Sequence, residues 1–234
     1  MTPLYLGAED LAFARGGNRL CFVDPRNSAR CIKVDRLDRT PVIRRQGSRF
    51  PKKLRPLSSF DENREEFQVI RDIEQRCGPE ALQMVPHCYG FVETNFGKGL
   101  VLELLRDADD RISVTLLQYV WEHGLTQSIK HALQVFIQQW TALGIPSRKL
   151  LLHNIIVQQL QDEKMRIVVI DGLGSPTLIP LGKWFKRIAI FQAGKKSRQV
   201  MDSIDLLLKR KKAGLTYGLH GWIAEEKRNT MINS

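Results

Sequence analysis

In the first third of the chain, apolar residues come in short runs separated by turn chemistry. Leu20–Val23 and Cys31–Val34 flank Asp24-Pro25-Arg26-Asn27. That spacing predicts a β-hairpin, because Pro presets a turn's backbone angle and Asp and Asn bond back to their own main chain. Gly16-Gly17 stands just before the first run. A second hairpin is predicted across "HCYGFVETNFGKGLVLELL", with Asn95 to Gly99 as its loop. Between the two hairpins the period lengthens. Ile70, Ile73 and Cys77 recur at three- and four-residue steps, Gly78-Pro79 closes the pattern, and Ser59 and Glu62 have capping-box spacing, which together predict a helix. One turn earlier the stripe passes through Glu66, while Glu65 lies on another face with Val69 and Asp72. A carboxylate at the edge of an apolar face calls for a partner, since burying it alone is costly.

From Ser113 onward the period is helical. Ser113–His123 predicts a short helix and Thr126–Leu143 a strong one, with Ile129, Leu133, Phe136, Ile137 and Trp140 on one face and Gly144 as the stop. "RKLLLHNIIV", Arg148 to Val157, obeys neither period: His153 and Asn154 sit side by side between two apolar triplets. "MRIVVIDGLGS" then predicts a buried strand that delivers Asp171 into a glycine-rich turn. Further helices are expected around Leu181–Phe191 and Gln199–Lys212, and fraying beyond Asn229.

At 234 residues, with 43% hydrophobic and 26% charged residues, the chain can bury a full core as one domain or two small lobes. No apolar run approaches the roughly 18 residues that a membrane helix needs. The N-terminus lacks a basic n-region followed by an apolar stretch, and the four cysteines show no CxxC pairing. Both features point to reduced thiols in a cytoplasmic protein without a transmembrane segment. The net charge of +11 suits an anionic partner. Eight Lys/Arg against one Asp fall between Arg36 and Pro56, with no sustained period, which reads as a mobile basic loop; "GKWFKR", "GKKSR" and "KRKK" carry much of the remaining excess. Each run is either a solvated face or a binding patch. The absence of zinc-finger spacing and of RNP-like aromatics argues against nucleic acid as the partner. Nor is there a Ser-His-Asp, Cys-His or zinc arrangement.

The order of the remaining features carries a resemblance. "RGGNRLCFVDP", "RCIKV", "DENREEF", "YGFVETNFGKGLVLELL", "SVTL", "HNIIV" and "IDGLGSPTLIPLGKW" resemble the YrbL family, the PhoP regulatory network proteins, within the protein kinase-like superfamily. The match covers most of residues 6–188 and fails at the basic stretch 36–58. The resemblance implies an α+β, bilobal kinase-like fold, with a strand-rich N-lobe over 1–106 and a reduced helical C-lobe over 107–234. It implies ATP and Mg²⁺ as cofactors. Gly16, Gly17 and Asn18 fall where a glycine-rich turn covers nucleotide phosphates, although the full GxGxxG pattern is not present. Lys33 falls at the strand lysine that binds phosphate oxygens and Glu66 at the helix glutamate that pairs with it. Leu102, Glu103 and Leu104 fall at the hinge whose backbone holds an adenine edge. Asp171 falls at the metal-binding aspartate and Asn154 at the second metal-side residue.

One position departs from the kinase pattern. Five residues before Asn154, where a kinase catalytic loop has the aspartate that receives the hydroxyl proton, this chain has Lys149. Phosphoryl transfer rests mainly on positioning and charge stabilisation. His153, with an ordinary pKa of about 6.5, stands either as a replacement base or as a packed loop histidine. The sequence therefore leaves two functions open. One is a weak or atypical phosphotransferase with a small-molecule or other non-protein acceptor; the other is a pseudokinase scaffold whose basic segments engage an acidic protein.

Overall fold

A computed structural model describes residues 2–174, 182, 185–217 and 221–230. The "SPTLIPL" part of the glycine-rich turn motif and the expected fraying beyond 230 lie outside those residues. The chain forms two compact units. The first comprises residues up to Gln68, His87–Leu104 and the segment from Glu225; the second comprises Val69–Pro86 and Leu105–Ala224. This division is discontinuous along the chain, where a single cut after residue 106 is expected from the sequence.

The first unit is built on β1 (Ala14–Arg15), β2 (Arg19–Asp24), β3 (Asn27–Asp35), α1 (Pro41–Gln46), the start of α2 (Glu62–Cys77), β4 (Cys88–Thr94) and β5 (Gly97–Glu103). Among the described residues its strands form one antiparallel sheet in the order β1-β2-β3-β5-β4. The Asp24–Asn27 turn forms as the sequence predicts, and it is tied by Asp24 Oδ1, which accepts from the Arg26 backbone N–H at 3.0 Å. Alternation along β2 and β3 divides the sheet into two faces. Leu20, Phe22, Ile32, Val34 and Val101 pack with Leu6 and Ala12 on one. Gly99 belongs to that face for a steric reason: a Cβ there would stand 2.5 Å from Ile32 Cγ2. It is therefore a strand residue, and the second hairpin turns tightly at Asn95-Phe96, between the Thr94 and Gly97 pair.

Two other local expectations are corrected. The basic stretch contains α1, capped by Thr40 and begun by Pro41, together with single turns at Lys52–Leu54 and Leu57–Phe60. Its Arg44 is largely buried, with a side chain 12% exposed, and bonds inward, so this stretch is a structured segment. Ser59 does not cap α2: its hydroxyl donates to the Pro56 carbonyl at 2.8 Å, while Asp61 Oδ1 accepts from the Arg64 N–H at 2.9 Å. The aspartate wins because the chain bends at Asp61 itself and a carboxylate favours a helix N-terminus.

The second unit holds the rest of α2, then β6 (Val114–Thr115), α3 (Leu116–His123), α4 (Gln127–Leu143), β7 (Ile155–Gln159), β8 (Met165–Val169) and α5 (Lys186–Lys212). A short helix, α6 (Glu225–Arg228), belongs to the first unit. Strands β6, β7 and β8 form a small antiparallel sheet. Thr126 and Gly144 delimit α4 as predicted, Gly144 in the left-handed region at φ 64°. Its buried face is Ile129, Ala132, Leu133, Phe136 and Trp140, with Ile137 at the margin. The two helices expected around Leu181–Phe191 and Gln199–Lys212 are one helix from Lys186 onward, because Ala193, Ser197, Val200, Ile204 and Leu207 make an unbroken buried stripe against α4 and α3. The fold class is α+β, with a strand-rich N-terminal sheet and a helical C-terminal part.

Candidate functional site

Lys33 lies near the end of β3, directly opposite Cys21 of β2. The pleat turns it away from the Ile32/Val34 core, towards the face that α2 covers. Glu66 lies one turn into α2 and is 8% exposed, whereas Glu65 is exposed. Lys33 Nζ donates to Glu66 Oε1 at 2.7 Å, and both side chains are buried. The partner that the helical stripe required for Glu66 is therefore Lys33. A buried pair of this kind persists only when further hydrogen bonds satisfy its remaining atoms. Asn63 anchors α2 to the strand beside the pair, donating to the Lys33 backbone carbonyl at 3.1 Å.

Sequence reasoning missed Arg19 and Asn63. Arg19 Nη1 donates to Glu66 Oε2, taking the other carboxylate oxygen. The same nitrogen stands 3.2 Å from Asn63 Oδ1, and Arg19 Nε lies 3.6 Å from Glu62 Oε2. The usable signal was alternation: in "RLCFV", Arg19 shares its face with Cys21, which lies opposite Lys33. Glu62 accepts from Asn18 Nδ2 at 2.6 Å and from Arg44 Nη1 at 2.5 Å, and Arg44 Nη2 reaches Asp35 Oδ1 at 3.2 Å. Burial pushes the Asp35 carboxyl up to about 6, against the pull of Arg44 and with Asp61 and Glu62 adding to the rise.

Gly16 and Gly17 form the exposed turn between β1 and β2, closed by Gly16 N–H donating to the Arg19 carbonyl at 2.8 Å. Neither has a positive φ, and a Cβ on Gly17 would meet nothing within 4 Å. The turn is thus open on its outer side, and the protein's own packing does not require glycine at Gly17. At the expected hinge, Leu102 and Leu104 are buried. The Glu103 N–H donates to the His87 carbonyl at 2.8 Å and the Leu104 N–H to the Ala29 carbonyl at 2.9 Å. Those two N–H groups are thus engaged within the protein, and the segment's other backbone polar groups are its carbonyls.

In the second unit, Asn154 ends a single 3₁₀ turn, Leu152–Asn154, and Ile155 begins β7. That change of geometry explains the two adjacent polar residues. The Asn154 carbonyl accepts from Ile170 N–H at 2.9 Å, placing Asn154 beside the end of β8 where Asp171 emerges. Asp171 is exposed, and its Oδ1 accepts from Gly172 N–H at 2.6 Å. Gly172 has φ +77°, and a Cβ there would stand 2.2 Å from the Lys149 carbonyl oxygen and 3.2 Å from Asn154 Nδ2. Only glycine lets this turn seat against the loop. The Gly172 carbonyl accepts from Arg148 N–H at 2.7 Å, which closes the arrangement. Asn154 and Asp171-Gly172 are thus brought together, with the exposed Lys149 supplying backbone to the same contact. His153 is packed: a Cβ on Gly221 would lie 2.4 Å from His153 Cβ.

Among the described residues no three His, Cys, Asp or Glu side chains gather as a metal site. A single carboxylate with a neighbouring amide is instead the donor set that Mg²⁺ uses when phosphate oxygens and water complete its shell. No helix among the described residues is long and apolar enough to cross a membrane.

The sequence model of the family described as PhoP regulatory network protein YrbL matches residues 6–204. The YrbL protein of Escherichia coli (strain K12) is 26% identical over 182 residues, covering 76% of this chain and 78% of the relative. The YrbL protein of Shigella flexneri gives the same figures, 26% over 182 residues. A crystal structure of Rad53 residues 1–466 in complex with AMP-PNP superposes with a TM-score of 0.49 at 14% identity, over 94% of this chain and 55% of that one.

Proposed function

The chain belongs to the YrbL family of PhoP regulatory network proteins, and from that premise we propose that it is a kinase-like protein that binds ATP with Mg²⁺. The observation that carries this reading is the buried Lys33–Glu66 pair, 2.7 Å between Nζ and Oε1. A lysine and a glutamate held on a strand and a facing helix, out of water, form the pairing that orients a lysine towards phosphate oxygens in kinases. In the first unit, Lys33 would bind phosphate while the open turn would offer the Gly17 backbone N–H to a phosphate oxygen. Carbonyls of the Leu102–Leu104 segment would accept from the adenine amino group. In the second unit, Asp171 and Asn154 would hold Mg²⁺, which when bound with ATP neutralises phosphate charge.

A specific observation favours a binding protein over a transferase. The position that carries the proton-accepting carboxylate in kinases is Lys149, whose side chain is exposed and whose carbonyl is packed on Gly172. An ammonium cannot accept a hydroxyl proton. His153, the replacement base in the transferase reading, is packed by Gly221. On this reading the protein signals by its nucleotide-bound state, and an acidic protein is the partner that its charge of +11 suits.

Thermal-shift titration with ATP, with and without Mg²⁺, tests the nucleotide site. A Mg²⁺-dependent rise in melting temperature, lost in Lys33→Ala and in Asp171→Ala, is expected. No shift at millimolar nucleotide overturns the reading. ATP consumption over a panel of acceptors, including the protein itself, separates transferase from scaffold: a flat line supports the scaffold.

A further inference from the structure

Arg19 follows directly on the Gly16–Asn18 turn and opens β2. Register pairs Arg19 with Asp35 and Cys21 with Lys33, so Arg19 and Lys33 share one face of adjacent strands. Arg19 is 8% exposed and Lys33 is 6% exposed. They divide one carboxylate between them: Lys33 takes Glu66 Oε1, and Arg19 takes Glu66 Oε2. Further polar contacts of Arg19, to Asn63 at 3.2 Å and to Glu62 at 3.6 Å, keep its guanidinium on the same side of α2.

A second buried cation beside Lys33 works against folding. It brings like charge close to the ammonium and must itself be desolvated. Lys33 and Glu66 already match one charge with one, and Arg19 adds a guanidinium that faces both Glu66 and Glu62. A guanidinium differs from an ammonium in being planar, weakly hydrated and permanently charged, and in presenting paired N–H groups that match a phosphate's oxygens. A residue with those properties, buried beside the lysine and next to the turn, is placed to read anionic oxygen.

We propose that Arg19 is a second phosphate-binding cation, acting with Lys33 in a subsite for the polyphosphate of a nucleoside triphosphate, with Glu66 as the shared counter-ion that orients both. This rests on the nucleotide reading above and deepens it. Arg19 makes the site selective for phosphate number: a triphosphate engages both cations, whereas a nucleoside monophosphate gains little from the second.

The test uses the full chain and titration calorimetry with ATP, ADP, AMP and inorganic tripolyphosphate. Wild-type protein is expected to bind ATP, and tripolyphosphate is expected to compete. Arg19→Met is expected to weaken ATP at least about tenfold, the worth of one charge-assisted contact, with a much smaller change for AMP. Arg19→Lys keeps the charge but loses the fork, and is expected to recover part of the ATP affinity. Melting temperatures without ligand report folding; should Arg19→Met not fold, Arg19→Lys against wild type carries the same ATP-to-AMP comparison. An equal loss for ATP and AMP, or no loss in any folded Arg19 variant, overturns the proposal. Wild-type protein that binds neither ATP nor tripolyphosphate removes the nucleotide reading itself, whereas ATP binding indifferent to Arg19 removes only this inference.

Discussion

Glu66 is the residue on which two buried cations of the first unit depend, because Lys33 and Arg19 each hold one of its oxygens. Replacing it with the neutral Gln leaves two buried cations facing an amide, and the expected loss of stability is about 3 kcal/mol. Lys33→Met removes one cation while Arg19 still balances the carboxylate, so its expected cost is smaller, about 1 kcal/mol. Urea unfolding of the two variants checks the order; a Glu66→Gln loss no larger than that of Lys33→Met contradicts the sharing of the carboxylate. Gly172 is the corresponding residue of the second unit. With φ +77° and a Cβ that would stand 2.2 Å from the Lys149 carbonyl, Gly172→Ala must reopen the contact between turn and loop. The expected destabilisation is about 2 kcal/mol, read by thermal unfolding, and the Mg²⁺-dependent part of the ATP shift should fall with it.

At the scale of elements, α2 depends on its first turn. Asp61 caps it and Asn63 anchors it to the Lys33 carbonyl, so the cap is also the positioning device for Glu66. Asp61→Ala is expected to cost about 1 kcal/mol, and Ser59→Ala less than about 0.5 kcal/mol, since Ser59 bonds only its own turn. Chemical denaturation distinguishes them, and a larger loss for Ser59→Ala would restore the capping box. Helix α5 depends on close packing along its length. Ser197 Oγ lies 3.4 Å from Thr141 Oγ1, and a Cβ on Gly194 would lie 3.4 Å from Thr141 Cγ2. Gly194→Ala fits that gap as ordinary contact and removes a helix-interior glycine, so it is expected to stabilise by about 0.5 kcal/mol, seen as a raised melting temperature.

For the molecule as a whole, pH acts with opposite sign through the carboxyl groups of Asp35 and Asp24. Burial pushes Asp35 up to about 6 from an ordinary 3.8, so between roughly pH 4 and 6 the folded chain holds a proton that the unfolded chain has lost. That contribution is present at low pH and is lost as pH rises through 6. Burial also acts on Asp24, but the Arg26 side chain and backbone hydrogen bonds outweigh it and hold the carboxyl below its usual value. Its contribution is present above about pH 4 and fades in stronger acid. Unfolding free energies measured from pH 4 to 7 are therefore expected to fall more steeply in wild type than in Asp35→Asn, by an amount of order 1 kcal/mol once solvent screening is allowed for. Identical slopes in the two proteins would exclude Asp35 as the source.

Periodicity and turn chemistry were enough to determine the first hairpin, the helix around Glu66 and its inward carboxylate, α4 with both of its caps, and the strand that leads to Asp171. These depend on neighbours within one or two turns, which the chain order records directly. The order of features that resembles a kinase likewise came from the sequence, as did Lys149 where that resemblance implies a carboxylate. What only the tertiary structure decided depends on partners distant along the chain. Arg19 lies 47 residues from Glu66, and Arg44 lies 18 residues from Glu62; neither pairing leaves a periodic trace. The cap of α2 was ambiguous because Ser59 and Asp61 both carry suitable oxygens, and the bend of the chain chose between them. The Glu103 and Leu104 N–H groups find their partners in His87 and Ala29 through strand pairing, which chain order does not record. The adjacent polar pair in "RKLLLHNIIV" was legible as a breach of period, but its cause, a 3₁₀ turn packed on Gly172, is a contact between segments that only folding brings together.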